Sequence, residues 1–172
     1  MKTLGIDVGS SSVKVSLLDV ATGECAGAVT LPSAEMPIDA PQPGWAEQDP
    51  RMWWNYVREG VRTLVARAGG AGTVKAIGIT YQMHGLVCLD EAGEPLRKSI
   101  IWCDSRAVEI GDRAFDALGH DRCLERLLNS PGNFTASKLA WVRENEPEVF
   151  AGVHRFIDRK STRLNSSHLS RS

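Results

Sequence analysis

Gly5-Ile6-Asp7-Val8-Gly9-Ser10-Ser11-Ser12-Val13-Lys14 is the stretch on which the reading of this chain turns. The apolar run Thr3 to Asp7 reads as a buried strand with a carboxylate at its end. Gly9 to Ser12 is a cluster of turn formers that reverses the chain. Beyond it, Val13, Val15 and Leu17 alternate with Lys14 and Ser16, the period of a half-buried strand. A second turn at Asp19 to Gly23 leads into a third strand, Glu24 to Leu31, so the chain opens as an antiparallel meander. A Gly/Ser turn directly after a strand-end carboxylate has two readings. One is a plain hairpin turn. The other is an anion cradle, in which backbone N–H groups face a phosphate, Gly9 permits its close approach, and Asp7 holds a hydrated Mg²⁺, an ion that takes few protein carboxylates. It is not a Walker loop, since G-x-x-x-x-G-K-[ST] is missing and no helix follows.

Downstream, Pro32 to Pro43 carries four prolines and reads as an ordered loop. Asp49-Pro50 has the chemistry of a helix start. Met52, Trp53, Val57, Val61, Leu64 and Val65 then recur at helical spacing, and Ala68-Gly69-Gly70 ends the helix. Strands are expected at Val74 to Thr80, Gly85 to Leu89 and Ser99 to Trp102. Helices are expected at Asp104 to Leu118, Asp121 to Leu128 and, capped by Thr135, on to Asn145. A further turn of helix, Glu148 to Ala151, and a strand start, Val153 to Ile157, complete the pattern. A meander followed by helix, strands and helices predicts an α/β domain with a mixed sheet.

The net charge of −1 leaves no electrostatic footprint for nucleic acid. No apolar run reaches the ~18 residues of a membrane span, and the N-terminus lacks a signal-peptide pattern, so a cytoplasmic location is expected. Cys25, Cys88, Cys103 and Cys123 form no C-x-x-C pair and, like the scattered histidines, show no zinc-ligand spacing; mostly buried free thiols are expected. Residues 158–168 read DRKSTRLNSSH, polar and without period. They resemble the in-frame translation of a DNA-sequencing adapter, so residues 1–157 are read as one domain, truncated, and 158–172 as a non-native tail.

Four segments together carry a family resemblance. D-x-G-S-S-S-V-K from Asp7 resembles the first phosphate motif of the superfamily that unites actin, heat-shock chaperones and sugar kinases. Gly44-Trp45-Ala46-Glu47-Gln48-Asp49-Pro50 with Trp53-Trp54 resembles the P-G-W-x-E-Q-D-P-x-x-W-W segment of the FGGY carbohydrate kinases of xylulokinase type. Gly78-Ile79-Thr80-Tyr81-Gln82-Met83-His84-Gly85 is similar to their G-I-x-x-Q-M-H-G segment, and Ile101-Trp102-Cys103-Asp104-Ser105-Arg106 to their W-N-D-x-R segment. The four run in family order over residues 1 to about 157, with Cys103 standing where Asn is common.

The resemblance implies a ribonuclease-H-like fold, here an incomplete first domain, facing a second domain across a cleft. It implies ATP-dependent, Mg²⁺-assisted phosphorylation of D-xylulose to D-xylulose 5-phosphate, with the general-base Asp lying beyond this chain and the fragment inactive alone. Asp7 matches the acid beside phosphates and metal; Gly9, Ser10, Ser11, Ser12 and Lys14 fall on the nucleotide side; Gln82, Met83, His84 and Asp104 fall on the sugar side. Bland alternatives stand beside several of these. His84 could be a satisfied loop histidine, Asp104 and Arg106 an ion pair shaping a wall, Lys14 and Lys138 solvated surface lysines, and Trp45, Trp53, Trp54 and Trp141 packing residues. A kinase for another sugar or polyol, a non-catalytic actin-like domain and the product of a broken gene are the rival readings. The implied partners are ATP and D-xylulose, with no nucleic acid and no membrane; a homodimer of the full-length parent is left open.

Overall fold

The computed structural model describes residues 1–157; the expected foreign tail, 158–172, lies outside the described residues. The chain divides into two compact units, Met1–Pro37 with Pro50–Gln82, and Ile38–Asp49 with the residues from Met83 onward.

The first unit is built on the opening meander. Strands β1 (Lys2–Val8), β2 (Val13–Asp19) and β3 (Cys25–Leu31) pair antiparallel, and β5 (Val74–Tyr81) joins parallel to β1, giving the order β3-β2-β1-β5. The mixed sheet is the one predicted. Alternation sorts its faces: Leu4, Ile6 and Val8 of β1 lie with Val13, Val15 and Leu17 of β2 in the core. Helix α1 (Pro50–Arg67) packs on β1, β2 and β3 through Trp53, Gly60 and Leu64. At Gly60 the helix comes so close that a Cβ would stand 2.6 Å from Val15 Cγ2. The helix stops as expected, with Gly69 at φ 84° and Gly70 at φ 109°, and the Gly70 N–H reaching back to the Val65 carbonyl. Ile77 and Ile79 pair with Leu4 and Ile6, yet are 59% and 53% exposed, because α1 covers the other strands and not β5.

The second unit is a set of short strand pairs backed by helices. β4 (Glu47–Gln48) pairs with β7 (Ser99–Ile100), and β6 (Val87–Leu89) with β8 (Arg155–Ile157). Helices α2 (Val108–Leu118), α3 (His120–Leu127), α4 (Thr135–Asn145) and α5 (Pro147–Ala151) follow in order. Its core joins Leu86, Cys88, Ile100 and Val142, with Leu139, Trp141 and Phe150 against them.

Two expectations are corrected here. Helix α2 starts at Val108 rather than Asp104, because the Asp104 carboxylate takes the N–H of Arg106 at 2.9 Å and holds the backbone in a turn that competes with helix. Thr135 does not cap α4; the cap position is Phe134, and the Thr135 hydroxyl donates instead to the Gly85 carbonyl at 3.0 Å. Strand β4 and the short 3-10 turns at Ala71–Thr73 and Pro131–Asn133 went unpredicted, being too short to show a period. Among the described residues, no helix is long and apolar enough to cross a membrane.

Candidate functional site

The residues expected on the nucleotide side all belong to the first unit. Asp7 on β1 and Lys14 on β2 are cross-strand partners, a geometry set by the tight turn between them. The Gly9 N–H donates to the Ser12 carbonyl at 2.9 Å, closing that turn, and the Met36 N–H donates to the Ser11 carbonyl at 2.8 Å. The turn leaves little room for bulk: a Cβ on Gly9 would lie 3.1 Å from the Ser12 oxygen. Asp7 Oδ2 lies 3.7 Å from Lys14 Nζ, with both side chains well exposed, so the pair is weak and both groups remain accessible. They line an open depression of about 560 Å³ together with Gly5, Ser16, Thr30, Gly78 and Thr80.

An exposed strand-end carboxylate beside a compact turn suits a metal that keeps its waters and rests mainly on a nucleotide's phosphates. Among the described residues, no group of three or more His, Cys, Asp or Glu side chains converges on a metal position. A single accessible carboxylate such as Asp7 is the kind of donor that a largely hydrated Mg²⁺ takes. Gln82 follows β5, its N–H directed at the Val8 carbonyl at 3.4 Å. Both atoms of its side-chain amide are buried without a hydrogen-bond partner among the described residues. Such a group costs about 1–3 kcal/mol unless a water or a ligand meets it.

Met83, His84 and Asp104 belong to the second unit. Met83 is 49% exposed. His84 has φ 62°, a left-handed conformation rare for a residue with a Cβ. Its ring stacks on Phe134, centroids 4.9 Å apart and planes 13° from parallel. The segment is held by its carbonyls. Lys138 Nζ donates to the His84 oxygen at 2.6 Å, Thr135 Oγ1 to that of Gly85 at 3.0 Å, and Ser99 Oγ to that of Leu86 at 3.0 Å. Lys138 is wholly buried and also donates to Asn133 Oδ1 at 2.8 Å and to the Asn133 carbonyl at 3.2 Å. Of the two readings open to Lys138, the solvated one is overturned: the side chain turns inward from the first turns of α4. A lysine after an N-F-T-A-S run carries no sequence mark of burial, so this escaped the sequence reading.

Asp104 is 2% exposed and serves the scaffold. Its Oδ2 accepts from the Ala46 N–H at 2.5 Å, and the Arg106 guanidinium grips both oxygens, Nε to Oδ1 at 2.9 Å and Nη2 to Oδ2 at 2.7 Å. With both oxygens engaged, the geometry favours the ion-pair reading of Asp104 over the sugar-side one. Arg106 lies over the rings of Trp45 at 3.8 Å and Trp141 at 4.9 Å, which themselves meet edge to face at 5.2 Å. Arg97 bonds Glu47 and lies 3.2 Å from Glu146, while Arg106 Nη1 lies 2.7 Å from Glu47. The last two are charge contacts rather than hydrogen bonds, since Arg97 Nη1, Arg106 Nη1 and Glu146 Oε2 have no hydrogen-bond partner among the described residues. The G-W-A-E and W-C-D-S-R segments are thus one structural unit, joined by Asp104 to Ala46 and by β4 to β7.

The thiols divide evenly rather than being mostly buried: Cys88 and Cys123 are inside, Cys25 and Cys103 exposed. Burial pushes the Cys88 thiol up to about 11, against the pull of Arg97.

Comparisons place this geometry. The model of the FGGY family of carbohydrate kinases, N-terminal domain, matches residues 2–165. A xylulose kinase of Escherichia coli strain K12 is 36% identical over 154 residues, which span 90% of this chain and 31% of that protein. A solved structure of a xyloylose kinase from Brucella ovis superposes with a TM-score of 0.79 at 33% identity, covering 92% of this chain and 32% of its own. A gluconate kinase from Lactobacillus acidophilus gives a TM-score of 0.78 at 27% identity, covering 91% and 31%. The chain thus spans about a third of the length of the relatives it matches. With that match over residues 2–165 and the sheet order, the Gly9–Ser12 turn and the Q-M-H-G loop described above, this chain belongs to the FGGY family of carbohydrate kinases and carries its N-terminal domain.

Proposed function

We propose that the chain serves an ATP-dependent sugar kinase that converts D-xylulose to D-xylulose 5-phosphate. The observation that carries this reading is the His84 loop: a left-handed histidine, stacked on Phe134 and pinned through its carbonyl, next to an exposed Met83. Rigidly held polar and soft apolar groups side by side suit a polyhydroxy ketose, the imidazole meeting a hydroxyl and the thioether a carbon face. Names of relatives in the comparisons point the same way, since the E. coli protein is a xylulose kinase.

In this reading Gly9, Ser10, Ser11, Ser12 and Lys14 would receive the nucleotide's phosphates, and Asp7 would hold Mg²⁺. Bound there, the metal neutralises charge developing on the transferred phosphoryl group. Gln82 offers an amide donor and acceptor at the step from β5 into the sugar loop. The chain's own contribution is to position; transfer needs both reactants held and water excluded. The 172-residue chain alone is expected to turn over ATP far more slowly than a full-length kinase.

The test is a titration of the chain with D-xylulose, followed on the His84 ring signals by NMR, with glycerol and D-gluconate as competitors. Saturable shifts at His84 with D-xylulose alone support the reading. Preference for D-gluconate would move the assignment to another sugar, the alternative raised by the gluconate kinase superposition. No response to any of them would remove the sugar role.

A further inference from the structure

We infer that Lys138 is a positioning residue for the sugar site: its buried ammonium locks the His84 carbonyl, and with it the imidazole stacked on Phe134, in the orientation that meets the ketose. This rests on the sugar reading of His84 given above. The argument begins with the conformation. A non-glycine residue at φ 62° persists only where its surroundings over-determine it. Lys138 supplies that constraint from α4, reaching the His84 oxygen at 2.6 Å.

An ammonium carries three donors on a flexible stem. Here it also meets the Asn133 carbonyl and side-chain oxygen, so one charge ties the histidine loop to residues 133–134. That second anchor is itself rigid. Asn133 Nδ2 donates to the Trp102 carbonyl at 2.5 Å, and Ser137 Oγ donates to the Pro131 carbonyl at 2.7 Å. Gly111 of α2 approaches so closely that a Cβ there would lie 2.1 Å from Gly132 Cα. Phe134, one residue beyond Asn133, carries the ring on which His84 stacks. Backbone clamp and ring stack therefore meet on the same two-residue segment, and Lys138 links them. A wholly buried lysine with no role beyond packing would be an expensive choice, since an apolar side chain of that volume avoids desolvating a charge.

The test uses the full 172-residue chain. Lys138→Met removes the ammonium and keeps the length. Leu64→Ala, in the core of the first unit, serves as a control that destabilises without removing a packing partner of the loop. In Lys138→Met, the ring-current shift of the His84 protons should collapse and D-xylulose affinity should fall by about tenfold or more, as for a group displaced on the ångström scale. In Leu64→Ala, the melting temperature should drop with both readouts unchanged. Lys138→Gln, which keeps a donor, should recover part of the shift. A folded Lys138→Met chain whose His84 shift and D-xylulose response match the wild type overturns the inference. If neither Lys138 variant folds, cross-hydrogen-bond coupling from Lys138 Nζ to the His84 carbonyl in the wild type decides: its presence supports the clamp and its absence overturns it. A wild-type chain that shows the stacked ring but ignores D-xylulose defeats the sugar reading instead, and the two failures are told apart by which signal is lost.

Discussion

His84 spends conformational energy to face where it does, and the size of that cost makes a prediction. Asn tolerates the left-handed region and matches much of the histidine's polar reach without the ring. His84→Asn should therefore lose the stack on Phe134, about 0.5–1.5 kcal/mol, while easing the φ 62° strain. Melting should shift by only a few degrees, while the response to D-xylulose disappears; a retained response would show that the imidazole is not the contact. Cys88 gives a second expectation at this scale. Its thiol, normally near 9, is raised to about 11 by burial. Between those values the unfolded chain releases the proton and the folded chain keeps it, so stability falls as pH rises from 9 toward 11. The loss should be on the order of 2 kcal/mol, and Cys88→Ala should flatten the pH dependence of urea midpoints in that window. Below pH 9 this group contributes no slope.

Among elements, close approach and charge pairing hold the second unit together. Helix α2 meets the Pro131–Asn133 turn across Gly111 and Gly132, backbone against backbone. Gly111→Ala gains about 1 kcal/mol of helix propensity but drives a methyl into the Gly132 backbone, where no side chain can swing aside. Overpacking of this kind costs about 1–3 kcal/mol or more, so the variant should melt lower than the wild type; a higher melting point would show that the turn yields. The joint between β4 and the segment after β7 depends on Asp104. Asp104→Asn leaves Arg106, 1% exposed, without one of its two counter-charges, although Glu47 remains at 2.7 Å. Breaking a buried pair costs about 3–5 kcal/mol; Glu47 should hold this case near the lower end. Hydrogen exchange should report the loss in the second unit, with β1 and β2 of the first unit keeping their protection.

For the whole molecule, the exposed apolar face of β5 is the main liability. Ile77 and Ile79 stand more than half exposed on a strand at the sheet's end, a template for association. Ile77→Thr with Ile79→Thr keeps β propensity and removes the apolar surface. Light scattering should show less self-association for the double variant at equal concentration; unchanged scattering would place the association elsewhere.

Much of the first unit could be read from residues alone, because a two-residue or 3.6-residue period writes burial directly into the order of Val13, Val15 and Leu17, or of Trp53 and Leu64. The meander, the α1 helix to its glycine stop and the parallel return of the chain in a mixed sheet are consequences of those local patterns and of turn chemistry. Motif order likewise sufficed to name the family. The second unit was less readable. Its strands are two or three residues long, and a carboxylate whose partner lies 58 positions away diverts the chain at Asp104 from the helix its neighbours favour. Which charged groups turn inward, Asp104 and Arg106 to each other and Lys138 to the His84 carbonyl, depended on oxygens and rings brought together only when the chain had folded, because the sign of a charge in sequence carries no information about the partner that will bury it.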